Sequence, residues 1–400
     1  MNPSVQLADL AERAGLRRVA IVAWRELGDP EAGGSELHAH EVARRWAAAG
    51  IEVVVRTSQV PGEPVRLERD GYVAIRRSGR YQVFGTAASD ILRGRLGRLD
   101  GLVEVWNGMP FFSPLWASVG HLPRVVWLHH VHAEMWQMVL PPRLAALGSA
   151  VESRVAPPLY RRTLVVTLSK SSRAEIVGML GMRPELVRVV PPGVDPRYRP
   201  GGRRSERPLV VAVGRLVPVK RFDRLIHVMA ELHEQWPDAH CVIVGEGAER
   251  EALEALRAEL KAESFVYLPG RVSDEELVGL YRRAWVLAST SVREGWGMTV
   301  SEAAACGTPA VVSRIAGHSD VVADGETGYL VSSRAEMVTR LGELVGDDAL
   351  RDRLGKQALD RASELTWEAT ALGTLEALAD AATRSSRALS TRLRWAGRRT

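Results

Sequence analysis

Short apolar runs recur along this chain, most of them ending at a loop that carries glycine or proline and separated for the most part by helical segments. No other feature narrows the fold so much. In the first half the runs fall at residues 18–24, 51–55, 72–76, 102–107, 125–128 and 164–168. A run of this length reads as a strand covered on both faces, and such strands belong to parallel sheets. The pattern pauses at residues 199–208, which are polar and rich in Gly, Pro and Arg and read as a linker. It restarts at 209–213, 241–244, 265–268, 285–288, 310–313 and 329–331, with helices expected over 5–14, 222–236 and 249–262. The expected class is therefore α/β, two Rossmann-like doubly wound domains with helices on both faces of each sheet.

Bulk properties agree. A chain of 400 residues is too long for one ordinary core, and 46% hydrophobic with 25% charged residues describes a globular protein. The net charge is +5, but residues 384–400 hold Arg384, Arg387, Arg392, Arg394, Arg398 and Arg399 and no acid. The remainder is close to neutral, so no nucleic-acid partner is expected. That tail, with Leu389, Leu393 and Trp395, could lie on anionic lipid or stay solvated. Cys241 and Cys306 sit in apolar settings and read as reduced thiols. The N-terminus lacks the pattern of a secretory leader, and no run reaches the ~18–20 apolar residues of a membrane span. A cytoplasmic protein is expected, with the inner face of the membrane as an option.

Residues 292–308 (VREGWGMTVSEAAACGT) carry the strongest chemical signal. A strand runs into a glycine turn, Gly295-Trp296-Gly297, and a helix is expected to begin near Met298. Glycine lets a ligand approach the backbone, and the amides of a first helical turn favour an anion. Glu294 and Glu302 flank this cradle. Two acceptors around an anion site suit a molecule with phosphate at its centre and hydroxyls at both ends, as in a nucleotide sugar. Glutamate near a helix start can equally serve only the helix dipole. After the strand at 209–213, Arg215 and Lys220 flank a proline-stiffened loop; both suit a diphosphate, and a solvated basic loop is the plain alternative. The turn at Gly270-Arg271-Val272 faces the same end of its sheet, followed by Ser273 and Glu276 in a capping-box pattern.

In the first half, Gly33-Gly34-Ser35-Glu36 follows the first strand, where doubly wound sheets bind ligands. Ser35 is expected to cap the next helix, Gly33 to turn the chain, and Gly34 to meet phosphate. His129, His130 and His132 follow the strand ending in WL. Their spacing does not converge on one ion, so no metal site is expected; a histidine there is better placed to hydrogen-bond a substrate hydroxyl. Trp106, Trp116, Trp127 and Trp136 surround it, most of them as packing.

Taken in order over residues 18–382, GGSE at 33–36, the histidine after VVWL, PPGVD at 191–195, GRLVPVK at 214–220, VGEG at 244–247, LPGRVSDEEL at 268–277 and the glutamates at 294 and 302 resemble the family-four retaining glycosyltransferases (glycosyl transferases group 1). The resemblance implies a GT-B fold, two Rossmann-like domains facing a central cleft. The N-terminal, acceptor-side domain would span 1–195, followed by the linker at 196–207. A nucleotide-sugar domain would span 208–365, a helix at 366–382 would cross back to the first domain, and a basic tail would close the chain at 383–400. Arg215 and Lys220 would bind the donor diphosphate and stabilise it as leaving group. Glu302 would accept from the ribose, Glu294 from the donor sugar. The backbone of Gly295, Trp296, Gly297, Met298 and Thr299 would hold sugar and phosphates. Gly34 would meet the phosphate from the first domain, His129 would contact the sugar near the anomeric carbon, and Arg271 and Val272 would hold the base. Pro192 stands where the family usually has Asn, and His130 where Asp is common.

The implied activity is retaining transfer of a hexose-type sugar from a nucleoside diphosphate to a hydroxyl of a glycan, lipid or secondary metabolite. The chain contains no D-x-D for a divalent ion, so no metal or other cofactor is expected. The retaining mechanism implied is same-face displacement, in which the departing phosphate helps deprotonate the acceptor. A nucleotide-sugar epimerase of similar shape and a binding protein without catalysis are the competing readings.

Overall fold

The computed structural model describes residues 2–117 and 122–396, with side chains described to residue 386 except at residue 139. The chain divides into two compact units, one of residues 1–168, 172–193 and 367–400 and one of residues 169–171 and 194–366.

The first unit is built on one eight-stranded sheet. Its strands are β1 (Arg18–Val22), β2 (Glu52–Thr57), β3 (Arg66–Arg69), β4 (Tyr72–Arg76), β5 (Gly101–Val105), β6 (Arg124–Trp127), β7 (Leu164–Thr167) and β8 (Val187–Val189), in the spatial order β3-β4-β2-β1-β5-β6-β7-β8. All pairs are parallel except β3–β4. The chain builds outward from β1 to β4 and β3, then returns to β5 beside β1. The loops after β1 and β5 therefore open at the point where the direction of winding reverses, the binding position of doubly wound sheets. Strands β3 and β8 escape the sequence pattern for physical reasons. β3 reads RLER, a charged edge strand with alternating exposure, and β8 is three residues long.

The core on one face of this sheet joins Val19, Ile21, Val103 and Trp127 to Val42 and Trp46 of the helix Gly34–Ala48. Leu375 and Leu378 of the helix Trp367–Ala396 complete it. That last helix is tied down by Trp46 Nε1, which donates to the Ala371 carbonyl at 3.0 Å, and by the Arg45–Glu368 pair at 2.8 Å. It does not stop at residue 382 as expected. Nothing from Ala382 to Ala396 is Gly or Pro, so no residue forces an end. Of the basic tail, Arg398 and Arg399 lie outside the described residues; Arg387, Leu389, Arg392, Leu393, Arg394 and Trp395 are described as helical backbone only. Among the described residues, no helix is long and apolar enough to cross a membrane.

The second unit is a six-stranded, all-parallel sheet: β9 (Leu209–Val213), β10 (His240–Val244), β11 (Val266–Gly270), β12 (Val286–Ser289), β13 (Ala310–Ser313) and β14 (Gly328–Val331). The spatial order is β11-β10-β9-β12-β13-β14, that of the dinucleotide fold, with its reversal between β9 and β12. The helices Phe222–Gln235 and Arg334–Gly346 cover it with Leu225, Ile226, Met229, Leu341 and Leu344. Cys241 and Cys306 are both free and buried.

Residues 199–208 are less of a linker than their composition predicts. Arg204 donates to the Thr308 hydroxyl at 2.9 Å and to the Gly307 carbonyl at 2.5 Å. Trp285 Nε1 donates to the Ser205 carbonyl at 2.7 Å, and Ser205 N–H to the Arg283 carbonyl at 2.9 Å. The segment is a strap fastened to the second unit.

Candidate active site

In the second unit the loops after β11, β10, β9 and β12 are stitched into one rim. Gly245 N–H donates to the Gly270 carbonyl at 2.9 Å, Gly214 N–H to Val244 at 3.0 Å, and Leu216 N–H to Glu246 at 2.9 Å. Val292 N–H donates to the Val219 carbonyl at 2.9 Å, which joins the β12 loop to the β9 loop. The glycines of VGEG serve this closeness. A Cβ on Gly245 would lie 1.9 Å from the Gly214 carbonyl oxygen, and one on Gly247 2.3 Å from that of Leu216. Their work is to support the β9 loop.

On that rim the sequence candidates meet in part. Lys220, at the end of the short turn Pro218–Lys220, reaches Glu294 at the end of the β12 loop, with Nζ 2.5 Å from Oε1. Ser291 Oγ donates to the same oxygen at 2.9 Å. Both charged side chains are about four-fifths covered, at 21% and 17% exposure. Burial pushes the Glu294 carboxyl up, but the charges of Lys220 and His318 and the hydrogen bonds of Lys220 and Ser291 override it and hold its pKa at about 2. Glu294 is therefore a fixed anion and an acceptor. An ammonium has three N–H donors, and Glu294 uses one. Arg215 stands exposed on the same loop as Lys220.

The turn that follows is shaped by glycine. Gly297 has φ +100° and precedes the helix Met298–Ala305 without any side-chain cap. The amides of Met298 and Thr299 open that helix, and such first-turn amides have no partner within it. Gly317 (φ +83°) packs underneath: a Cβ there would lie 2.6 Å from the Glu294 carbonyl oxygen. Trp296 is buried, and its indole donates to Ser301 Oγ at 3.3 Å, so what it offers the rim is backbone.

Glu302, one turn into the helix, is held apart from Glu294. It accepts from the Tyr281 hydroxyl at 2.9 Å. Burial, with the charges of Asp274 and Asp195, outweighs that bond and the pull of Arg197, and raises its pKa to about 7. Arg271 and Val272 follow β11 and lead into the helix Asp274–Arg283, whose capping box is present: Ser273 Oγ accepts from Glu276 N–H at 3.2 Å, and the Glu276 carboxylate from Ser273 N–H at 2.9 Å.

In the first unit, Gly33 is the N-cap of the helix Gly34–Ala48, so Ser35 is not. The end is capped from inside the helix, because Gly33 N–H donates to Glu36 Oε2 at 2.8 Å. Glu36 is itself held by Arg25 at 3.3 Å. Gly34 therefore begins the helix at the mouth of β1, with Ser35 beside Asn107 of the β5 loop at 3.4 Å. His129 turns inward after β6, where its Nε2 lies 3.1 Å from Nδ1 of His38. Burial, then the neighbouring His130, lowers its pKa to about 4, so it is neutral at ordinary pH. His130 and His132 stack on one another at 5.0 Å, and among the described residues no group of three or more His, Cys, Asp and Glu is arranged to hold a metal ion. Trp106, Trp127 and Trp136 are buried as packing.

Two buried carboxylates that organise these loops were not foreseen from the sequence. Glu104, near the C-terminal end of β5, accepts from Phe111 N–H at 2.6 Å, Ser113 N–H at 3.3 Å and the Tyr160 hydroxyl at 2.6 Å. Glu152 accepts from His132 N–H at 2.8 Å, Ala133 N–H at 3.2 Å and Trp136 Nε1 at 3.0 Å. The one available signal was an acid inside an apolar run, GLVEV.

Comparison with known proteins supplies the family and the fold. Residues 32–198 match the model described as Glycosyltransferase Family 4, and residues 197–361 match Glycosyl transferases group 1. D-inositol 3-phosphate glycosyltransferase of Corynebacterium efficiens is 35% identical, covering 88% of this chain and 93% of the relative. The protein of the same name from Nocardia farcinica is 31% identical over 87% and 85%. Among solved structures, sucrose-phosphate synthase from Thermosynechococcus elongatus superposes with a TM-score of 0.76 at 22% identity, covering 90% of this chain and 97% of the other. HepE of Anabaena, solved with UDP and glucose, gives 0.68 at 19% over 94% and 100%. At these identities the two structures speak for the fold, which is GT-B, while the curated relatives speak for the family. The epimerase alternative gains no support from them. Two α/β units of GT-B type, the two family matches and these relatives lead to one conclusion: the chain is a glycosyltransferase that uses a nucleotide-sugar donor, and it belongs to the family-four, group 1 glycosyltransferases.

Proposed function

We propose that this enzyme transfers a hexose-type sugar with retention and without a metal ion, from a nucleoside diphosphate to a hydroxyl acceptor. The observation that carries the reading is the Lys220–Glu294 pair at the reversal of the β9–β14 sheet, beside a glycine turn and a helix start. Breaking the sugar–diphosphate bond leaves negative charge on phosphate oxygen. Fixed cations and helix-start amides lower that barrier because they are oriented before the reaction. In this reading Lys220 keeps two N–H donors for the diphosphate while Glu294 holds it in place, and Arg215 adds a second cation. Glu294 accepts from sugar hydroxyls, Glu302 from the ribose, and Arg271 and Val272 meet the base. Gly34 and His129 supply the contacts of the first unit, to phosphate and sugar. Retention is assigned to same-face displacement, with the departing phosphate helping to deprotonate the acceptor.

The donor base, the sugar and the acceptor are found by following release of nucleoside diphosphate across UDP-, GDP- and ADP-sugars. Inositol 3-phosphate is the first acceptor to try, because the relatives carry it in their name. Turnover with one donor series in excess EDTA, giving the anomer of the donor, is the expected result. Loss of turnover in EDTA that Mg²⁺ or Mn²⁺ restores would overturn metal independence.

A further inference from the structure

The helix Gly34–Ala48 sends His38 into a closed box of aromatic rings. Its ring is 1% exposed and lies 4.5 Å from Trp127, 5.0 Å from His129 at an interplanar angle of 78°, and 6.0 Å from Trp367. Its Nδ1 meets His129 Nε2 at 3.1 Å. Its other nitrogen, Nε2, is buried with no hydrogen-bond partner among the described residues, and so is Nε1 of Trp127. Burial comes first among the causes that keep both histidines below the ordinary imidazole pKa, so each ring is neutral and carries one N–H and one lone pair.

Only two proton arrangements make the 3.1 Å contact a hydrogen bond. If His129 Nε2–H donates, His38 must carry its own proton on Nε2. That places an unpaired N–H in the box beside the unpaired indole N–H of Trp127. If His38 Nδ1–H donates, the box holds only an unpaired ring lone pair in addition to the indole. Either arrangement leaves Nε2 unpaired at the cost of its desolvation, but orphaned buried N–H groups are rarer than under-satisfied acceptors, and only the first arrangement sets two unpaired donors in one box. The second arrangement therefore wins, and it puts the His129 proton on Nδ1, the ring's one remaining polar atom.

We infer that His38 is a positioning residue that fixes His129 as the Nδ1–H tautomer, so that His129 meets the donor sugar as a hydrogen-bond donor through Nδ1 and not as a proton acceptor. The Thr167 hydroxyl, which donates to the His129 carbonyl at 3.4 Å, holds the backbone of the same residue. The inference rests on the assignment of His129 to the donor sugar, but its first test does not.

With ¹⁵N-histidine incorporated in the full chain, long-range ¹H–¹⁵N correlation reads the tautomer of each ring, and His129→Gln identifies the signal. The Nδ1–H pattern is expected for His129. An Nε2–H pattern in the wild type overturns the inference. His38→Phe fills the box without a donor. We expect it to release His129 to the other tautomer and to lower kcat about tenfold or more, with KM for the donor changed less than threefold. His38→Asn places an amide N–H where Nδ1 stood and should recover the pattern and most of the rate. Should His38→Phe fail to fold, the wild-type and His38→Asn spectra decide alone. An Nδ1–H signal that survives His38→Phe contradicts the positioning role. Unchanged turnover in His129→Gln instead contradicts the contact with sugar and leaves the tautomer result standing.

Discussion

Replacing Lys220 by Met removes the ammonium and keeps the stem of the side chain. The structure sets the size of two consequences. The Glu294 carboxyl is held at about 2 against an ordinary 4.5. That displacement corresponds to about 3 kcal/mol in favour of the anion. Lys220 is the main group producing it against the cost of burial. Removing one partner of a well-covered pair strands the other, so a loss of about 2–3 kcal/mol in the second unit is expected. For a domain of this size that is a fall in Tm of roughly 5–10 °C at pH 7. The sign of the pH dependence follows from the depressed pKa. The stability Glu294 contributes is complete above its unfolded value of 4.5 and is lost as pH falls toward about 2. The gap between wild type and variant should therefore close below pH 4.5. Catalysis should suffer more: loss of one preorganised donor at a developing anion costs about 10²–10³ in rate. Initial rates of nucleoside diphosphate release, with thermal melts of the same samples, measure both. Turnover within about threefold of wild type, together with an unchanged melt, would refute the reasoning.

Other outcomes follow from the same geometry. Burial holds the Glu302 carboxyl at about 7; with Glu302 at the ribose, as proposed, KM for the donor should fall as pH rises through that range, and Glu302→Gln should flatten the profile. The Tyr281 hydrogen bond lowers that pKa, so Tyr281→Phe should move the midpoint upward, and a downward movement in the pH–KM profile would count against the assignment. Gly317→Ala puts a Cβ at positive φ against the Glu294 carbonyl, and a loss of about 1–3 kcal/mol in denaturant melts, with a weakened donor KM, is expected. Glu152→Ala removes the acceptor of three donors in the 132–136 loop and should cost about 2–3 kcal/mol in the first unit.

Much of this was legible because parallel strands write themselves as apolar runs. Residues 209–213 and 310–313 read from sequence coincide with β9 and β13, and the helix start at Met298 follows from the glycines before it. The cationic loop and the glutamates were legible because they directly follow strands that can be counted. What escaped depends on contacts distant in sequence. Nothing local says that Glu104 will anchor residues 111–113, or Glu152 residues 132–136, because each works through a loop it meets only after folding. The strap at 199–208 misled because its composition is that of a flexible segment, while Arg204 finds carbonyls about a hundred residues away. Ser35 looked like a cap, yet glycine at 33 lets Glu36 reach back and do that work.

Equilibrium binding of the nucleoside diphosphates themselves tests the central claim most directly, because it needs neither sugar nor acceptor. Titration calorimetry of UDP, GDP and ADP should find one that binds the wild-type chain in the micromolar range. The double variant Arg215→Ala, Lys220→Met should bind it a hundredfold more weakly while its melt remains cooperative. A nucleoside diphosphate held equally well by the wild type and the double variant would show that the rim at the mouth of β9 and β12 does not hold the diphosphate.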